Sequence, residues 1–362
     1  MLFDQIQLGP VDLAGRVALA PMTRVSADAD GRVNERMVQY YRRFAAGGIP
    51  LLIIEGAYID TAESQTYLYQ PGLATKAHAE SWRPLVDAVR AEGAAVIAQL
   101  QHSGPQGQGN PYSDRLVSAS AIAARGEQMS MYRGVGPYDI PEPVTAAEIE
   151  EIHQAFVDAA LRAQGAGVDG VELHGANGYL LDAFLTDYLN HRTDQYGGST
   201  ANRVRFAAET VRKVKSAVGD GFIVGIRISQ GKVSDGSHKW GGGVDDADTI
   251  FRSLAEAGVD YLHTTEWKAA LPAFPGEDSR PLSALAKQAA PNVTVIANGH
   301  LNTCDDADAV VLNGHADMVA IGKAALSNPD WLNRAYSGAE LLDPLSPSAF
   351  GELATIQDWE LQ

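Results

Sequence analysis

The chain is short of cysteine, of positive charge and of long apolar runs, and each shortage closes off a class of protein. Its single cysteine, Cys304, cannot form an internal disulfide, and no CxxC pair offers ligands to zinc or an iron–sulfur cluster. A reducing, cytoplasmic setting is expected. Lys and Arg number 28 against 45 Asp and Glu, a formal net charge of −17 at pH 7. Such a surface repels phosphate backbones and anionic lipid, so neither nucleic acid nor a membrane is expected as a partner. The longest apolar stretches, such as Leu51 to Ile54, are far too short to span a bilayer, and the start MLFDQIQLGP has neither the basic nor the apolar region of an export signal. No export or anchoring is implied. Absent too are HExxH, a His-x-His pair at the first strand end and a GxGxxG turn, which argues against metal hydrolysis and a dinucleotide fold.

What the chain does have is repetition. Its 362 residues are 45% hydrophobic and 20% charged, the balance of a soluble globular protein with a sizeable core. The length fits two domains or one large α/β barrel. Eight short β-branched runs recur, each followed by a segment of helical character: Arg16 to Pro21, Pro50 to Gly56, Ala94 to Leu100, Val168 to Gly175, Phe222 to Ser229, Val259 to Glu266, Val293 to Gly299 and Asp317 to Lys323. Between them, Ala79 to Glu92, Thr145 to Gln164 and Asn202 to Val218 carry apolar residues at helical spacing, and Thr145 with Glu148 reads as a capping box. Near-continuous apolar runs imply strands buried on both faces, hence a parallel sheet under helices. Eight βα units close most simply as a single (β/α)8 barrel over residues 1–362; a doubly wound open sheet is the alternative.

Three strand entries, AGVDGV, AGVDYL and GHADMV, place a Gly shortly before an Asp and an apolar run, the punctuation a repeated α-to-β connection needs. Two excursions break the pattern: His102 to about Pro143, rich in Gly, Pro, Ser and Tyr, and Gln230 to Gly243. Both exceed the usual βα loop of roughly 2–6 residues. Both follow strand ends, so each is either a lid or pocket wall, or a subdomain shielding the barrel mouth.

In such a barrel the carboxyl ends of the strands carry the chemistry. Here those ends supply Pro21, Met22 and Thr23; Gly56 and Ala57; Gln99 and Gln101; His174, Asn177 and Tyr179; Arg227; Trp267; Asn298 and Gly299; Gly322 and Lys323. Only Glu55 and Glu266 add carboxylates nearby, so paired-acid glycoside hydrolysis is poorly supported. Gln, Thr, Asn, Arg and His with backbone glycines suit a flat heteroaromatic ligand, with an anion held at strands seven and eight. Taken singly, each residue also has a structural reading: His174 as a satisfied histidine, Tyr179 as a core aromatic, Gln99 as the cap of a barrel layer, Arg227 as a buried ion-pair partner.

Longer motifs decide between those readings. LAPMTR (Leu19 to Arg24), YYRRFAAGGIPLLIIEGAYI (Tyr40 to Ile59), IAQLQHSG (Ile97 to Gly104), VELHGANGYLLDAFL (Val171 to Leu185), NHRTDQYGGSTANRVRF (Asn190 to Phe206), IANGH (Ile296 to His300) and AIGKAALSNPDW (Ala320 to Trp331) follow one another in order. Together they resemble the old yellow enzyme family, FMN-dependent ene-reductases on a (β/α)8 barrel, from about Phe3 to Trp331. The resemblance implies a cofactor site of Ala20, Pro21, Met22, Thr23, Ala57, Gln99, Arg227, Asn298, Gly299, Gly322 and Lys323. Within it Thr23 would hydrogen-bond the flavin O4, the Ala57 backbone would meet the O4/N5 edge and Gln99 would pair with N3 and O2. Arg227 would lie against N1/O2, where negative charge accumulates on the reduced flavin. It further implies that His174 and Asn177 bind the oxygen of a substrate stacked over the flavin, that Tyr179 protonates the substrate α-carbon, and that Trp267 belongs to the substrate site.

The implied activity is ping-pong: NADH or NADPH reduces FMN and leaves, and an activated alkene or a nitro compound then takes the hydride. Partners would be small molecules only, on a monomer or homo-oligomer. The chain departs from the family in Gly322-Lys323 where Gly-Arg is usual, in Pro105 where Arg usually follows HSG, and in RISQGK and KWGGG after the fifth strand. A lysine at that position meets phosphate as a point charge, not as a bidentate fork. A dienoyl-CoA-type reductase would need an iron–sulfur centre and a further flavin domain, for which one cysteine and 362 residues leave no room. Two other classes stand beside the reductase: a flavin-free barrel lyase using Lys323 or Lys232 as a Schiff-base amine, and a flavin-binding protein without turnover.

Overall fold

The computed structural model describes residues 1–345, 349 and 351–362. Its strands are β1 (Ile6–Leu8), β2 (Val11–Leu13), β3 (Val17–Leu19), β4 (Leu51–Tyr58), β5 (Ala95–Gln101), β6 (Val117–Ser118), β7 (Glu142–Pro143), β8 (Gly170–Asn177), β9 (Ile223–Lys232), β10 (Tyr261–Thr265), β11 (Thr294–Asn298) and β12 (Met318–Ile321). Eight of them, β3, β4, β5, β8, β9, β10, β11 and β12, pair in that order and close back on β3. Every pairing in the ring is parallel. The eight apolar runs of the sequence are these eight strands. Ten helices accompany them among the described residues: α1 (Glu35–Ala46), α2 (Lys76–Ala91), α3 (Ala146–Ala166), α4 (Leu180–Leu185), α5 (Thr200–Val218), α6 (Gly243–Glu256), α7 (Leu282–Ala289), α8 (Cys304–Leu312), α9 (Lys323–Ser327) and α10 (Trp331–Ser337).

The Gly…Asp punctuation has a repeated structural cause. Gly167, Gly258 and Gly314 take φ of +97°, +96° and +68° where a helix hands over to the next strand, a conformation glycine adopts without strain. The aspartate that follows reaches back to the neighbouring strand and accepts its first free N–H: Asp169 from Val96 at 2.8 Å, Asp260 from Val224 at 2.7 Å, Asp317 from Val295 at 2.8 Å. Each also pairs with a base on the helix that precedes that strand, Arg90, Lys215 and Lys287 respectively. Strand entry, strand neighbour and helix are thereby locked by one side chain. The capping box of α3 forms as read, with Thr145 Oγ1 accepting from Glu148 N and Glu148 Oε2 accepting from Thr145 N.

The amino-terminal hairpin of β1 and β2 plugs the barrel floor. Leu8 and Leu13 pack on Ile53, Ile97, Ile223, Ile296 and Met318, all buried. Deep apolar filling at this end leaves the polar strand ends to the other. Over that mouth lie the two excursions, and residues 351–362 return to the same side. Arg24 anchors this last segment: its guanidinium donates to both carboxylate oxygens of buried Glu360, at 2.7 and 2.6 Å, and to the Ala354 and Thr355 carbonyls. Arg43 and Arg36 of α1 bind the same segment, at Glu360 and Asp358.

Candidate active site

The turn after β8 is built to hold side chains in fixed places. Asn177 sits at φ +65°, a left-handed conformation that asparagine tolerates better than most residues. Its N–H donates to Ser229 Oγ, and its carbonyl accepts from Gln106 Nε2, both at 2.8 Å. One turn on, Asp182 accepts from Gly178 N at 2.7 Å and pairs with Lys232 Nζ at 2.7 Å, both side chains fully buried. Burial pushes the Asp182 carboxyl up, and the Lys232 ammonium opposes it. Lys232 is committed to this buried pair and is not free to act as a nucleophile.

His174, Asn177 and Tyr179 come together from this turn into a cavity of about 480 Å³ that Thr23, Gln99 and Arg227 also line. The His174 and Tyr179 rings lie 4.8 Å apart. Burial, and then Arg227, push His174 down to about 3, so its ring is neutral at physiological pH. Neither that ring nor the Asn177 carboxamide has a hydrogen-bond partner among the described residues, and His174 Nδ1 is an orphaned buried atom. Tyr179 Oη lies 2.7 Å from Tyr67 Oη. Burial raises both phenols well above their usual range.

Below the cavity a polar network crosses the barrel. Glu172 accepts from Gln99 Nε2 at 2.8 Å, from Tyr261 Oη at 3.0 Å and from His263 Nδ1 at 2.8 Å. Arg227 Nη1 lies against the His263 ring, 3.0 Å from Nε2 and 3.4 Å from Nδ1, and Nη2 donates to Thr265 Oγ1 at 3.1 Å and to Asn298 Oδ1 at 2.8 Å. Asn298 Nδ2 passes the chain on to the Ala320 carbonyl at 2.8 Å. Burial lowers Arg227 to about 10, which leaves it a cation at neutral pH.

A second cavity of about 520 Å³ adjoins the first through Pro21, Met22, Arg227, Lys323 and Leu345, which line both. Ala20, Asn298, Gly299, Gly322 and Trp267 face this one. Gly299 is at φ +141°, and a Cβ there would lie 2.0 Å from the Glu266 carbonyl oxygen; only glycine fits. The Lys323 ammonium stands 5.4 Å from the Trp267 ring centroid.

Comparison with known proteins fits this arrangement. The model of the NADH:flavin oxidoreductase / NADH oxidase family matches residues 1–341. A probable flavin mononucleotide-dependent alkene reductase of Leishmania infantum is 33% identical over 97% of this chain and 94% of its own. The solved structure of the old yellow enzyme homologue from Zymomonas mobilis superposes with a TM-score of 0.88 at 28% identity, covering 99% of this chain and 98% of that one. The chain belongs to the old yellow enzyme family. It is also 32% identical, over 94% of its length, to an NADH oxidase of Thermoanaerobacter brockii, yet it spans about half the length of such curated relatives, 51% and 49% for two of them.

The residues present fit the family's FMN. Two joined cavities of these volumes lie in the range for cofactor sites, roughly 300–1,000 Å³. Gln99 keeps its carbonyl oxygen free of hydrogen bonds among the described residues, Arg227 offers a buried cation beside it, and Gly299, Gly322 and Lys323 form an open rim at the far end. That assortment of acceptor, cation and phosphate-sized rim matches the donors and acceptors of a flavin's pyrimidine edge and tail.

Three residues named from the sequence stand apart from the rest. Lys323 is exposed, so it lacks the burial a Schiff-base amine needs. Trp267 is 71% exposed and its ring lies tilted against His300, 4.7 Å away; it faces the second cavity, apart from His174. Ala57, expected to act through its backbone, is fully buried and lines neither cavity. Met129, Met131, Tyr132, Val233, Leu345 and Ala354 complete the first cavity, and sequence reasoning named none of them. The first three come from the long excursion, which is thus a pocket wall; Val233 comes from the second.

Proposed function

We propose that this chain is an FMN-dependent NAD(P)H oxidoreductase that reduces activated alkenes, enones first and nitro compounds as a second class. One observation carries the reading: neutral His174 and Asn177, each with hydrogen-bonding capacity left open, share a cavity wall with a buried phenol. Two neutral donors converging on one substrate oxygen stabilise the enolate-like charge that develops there, at no cost of reorganisation. FMN, when bound, would supply the hydride, taken from NADH or NADPH. Gln99 and Arg227 would hold the cofactor's pyrimidine edge, Thr23 its O4 side, and Gly299, Gly322 and Lys323 its phosphate. Tyr179 delivers a proton to the substrate α-carbon. Met129, Met131 and Tyr132 close the apolar side of the pocket and exclude water.

A lyase acting through a lysine is disfavoured by the Asp182 bond of Lys232 and the exposure of Lys323. A holder without turnover is disfavoured by the paired phenols, for which it has no use. The test is anaerobic. NADH or NADPH should bleach the flavin bands of the FMN-loaded protein, and cyclohexenone should restore them with formation of cyclohexanone. Flavin bands that no nicotinamide bleaches, or that an enone leaves bleached, would contradict the proposal.

A further inference from the structure

Buried Glu172 touches neither cavity, yet both polar chains that reach the pyrimidine side of the cofactor site start from it. One is direct: Gln99 Nε2 donates to Glu172 Oε1 at 2.8 Å, which turns the Gln99 carbonyl oxygen toward the cavity as an acceptor. The other runs through His263. The His263 ring lies against Arg227 Nη1, 3.0 Å from Nε2 and 3.4 Å from Nδ1, and burial keeps it neutral. An ionised carboxylate only accepts, so the proton of that neutral ring sits on Nδ1, 2.8 Å from Glu172 Oε2. With Tyr261 Oη as third donor at 3.0 Å, Glu172 satisfies the pattern of an ionised carboxylate. Burial alone would raise it, but His263 and Arg227 hold it below the ordinary carboxylate range.

We propose that Glu172 is a positioning residue for the cofactor: by orienting the Gln99 amide and, through His263, the Arg227 guanidinium, it fixes which hydrogen-bonding atoms meet the pyrimidine edge and balances the arginine's charge beneath it. The inference rests on the FMN reading for its consequence, though not for the tautomer it requires. Glu172→Gln removes the anion and frees the Gln99 amide to turn over. With the counter-charge gone, the site carries a net positive charge where the reduced flavin gathers its negative one, and the reduced cofactor is favoured over the oxidised.

Two measurements test this. Nitrogen-15 spectra of histidine-labelled protein, with His263 identified by loss of its signals in His263→Gln, should show the neutral ring protonated at Nδ1; a ring protonated at Nε2, or at both nitrogens, overturns the proposal whether or not FMN binds. In Glu172→Gln the ratio of affinities for reduced over oxidised FMN should rise at least tenfold, an upward shift in midpoint potential of about 30 mV for a two-electron couple. A merely structural role would weaken both affinities alike and leave the potential unmoved, and that result in folded protein would refute the assignment. If Glu172→Gln does not fold, the wild-type tautomer decides alone. Failure of the wild-type protein to bind FMN would count against the proposed function and leave the tautomer result standing.

Discussion

The phenol oxygens of Tyr67 and Tyr179 lie 2.7 Å apart in a buried contact between the β4–α2 segment and the start of α4. Both phenols are raised by burial, so both carry their protons at neutral pH. In this pair one hydroxyl donates and the other accepts. With Tyr67 donating, the Tyr179 proton is left to face the cavity, and Tyr67 stabilises the charge that Tyr179 takes on as it gives that proton up. The Tyr67 ring is held in turn by Tyr132, 4.4 Å away.

Replacing Tyr179 with Phe is expected to slow alkene reduction by roughly 10²–10⁴-fold, the usual loss of a general acid, while NAD(P)H reduces the flavin at an unchanged rate. Tyr67→Phe removes a hydrogen bond to a developing charge and should cost roughly 10- to 100-fold in the same half-reaction only. Stopped-flow traces of the two half-reactions separate these outcomes. Equal slowing of both would make the pair a packing feature.

The Arg24–Glu360 pair makes the carboxyl-terminal segment part of the pocket, because Ala354 lines the cavity and its carbonyl and that of Thr355 are bound by Arg24. Glu360→Ala takes the carboxylate from buried Arg24 and part-buried Arg43, and breaking such a pair from one side costs about 3–5 kcal/mol. Denaturant unfolding of the variant should show that loss. An unchanged midpoint would mean that the segment detaches without consequence.

Glu55 is fully buried behind Thr23 and Arg24, where it accepts from Arg24 N, Val25 N and Tyr41 Oη. Burial outweighs those bonds and pushes it up to about 7 from an ordinary 4.5. A carboxyl raised on folding holds its proton more tightly in the folded state. Its contribution to stability is therefore full below about 4.5 and is lost as pH rises through about 7. Thermal melts of the wild type against Glu55→Gln should show a wild-type advantage that shrinks across that interval; parallel curves would show that Glu55 does not titrate there.

The barrel was legible because its strands are punctuated: glycine, aspartate and an apolar run recur, and the aspartates turn out to tie each strand entry to its neighbour. The hairpin at the floor escaped, although Gly9-Pro10 between Ile6–Leu8 and Val11–Leu13 is a turn signal between alternating residues. Strand-end residues were legible as a set because fold position and motif agreed on them. Glu172, His263 and Tyr261 were not. They lie on two different strands, Glu172 on β8 and Tyr261 and His263 on β10, and only the closed ring brings them together. Met129, Met131, Tyr132, Leu345 and Ala354 carry no local signal either, since their roles depend on where long loops settle. Tyr67 stands in a stretch with neither helical nor strand periodicity, and only the 2.7 Å contact reveals it.

In the proposed reaction His174 and Asn177 bind a substrate oxygen above the flavin, and a phenol reports on that contact directly. Its oxygen mimics an enolate, and its electron-rich ring stacked on oxidised flavin gives a long-wavelength absorption band. Titrating FMN-loaded wild-type protein with para-chlorophenol should produce that band with saturable affinity. The His174→Ala, Asn177→Ala double variant should keep its flavin spectrum and show neither the band nor saturation. A double variant that binds the phenol as tightly as the wild type would contradict the account.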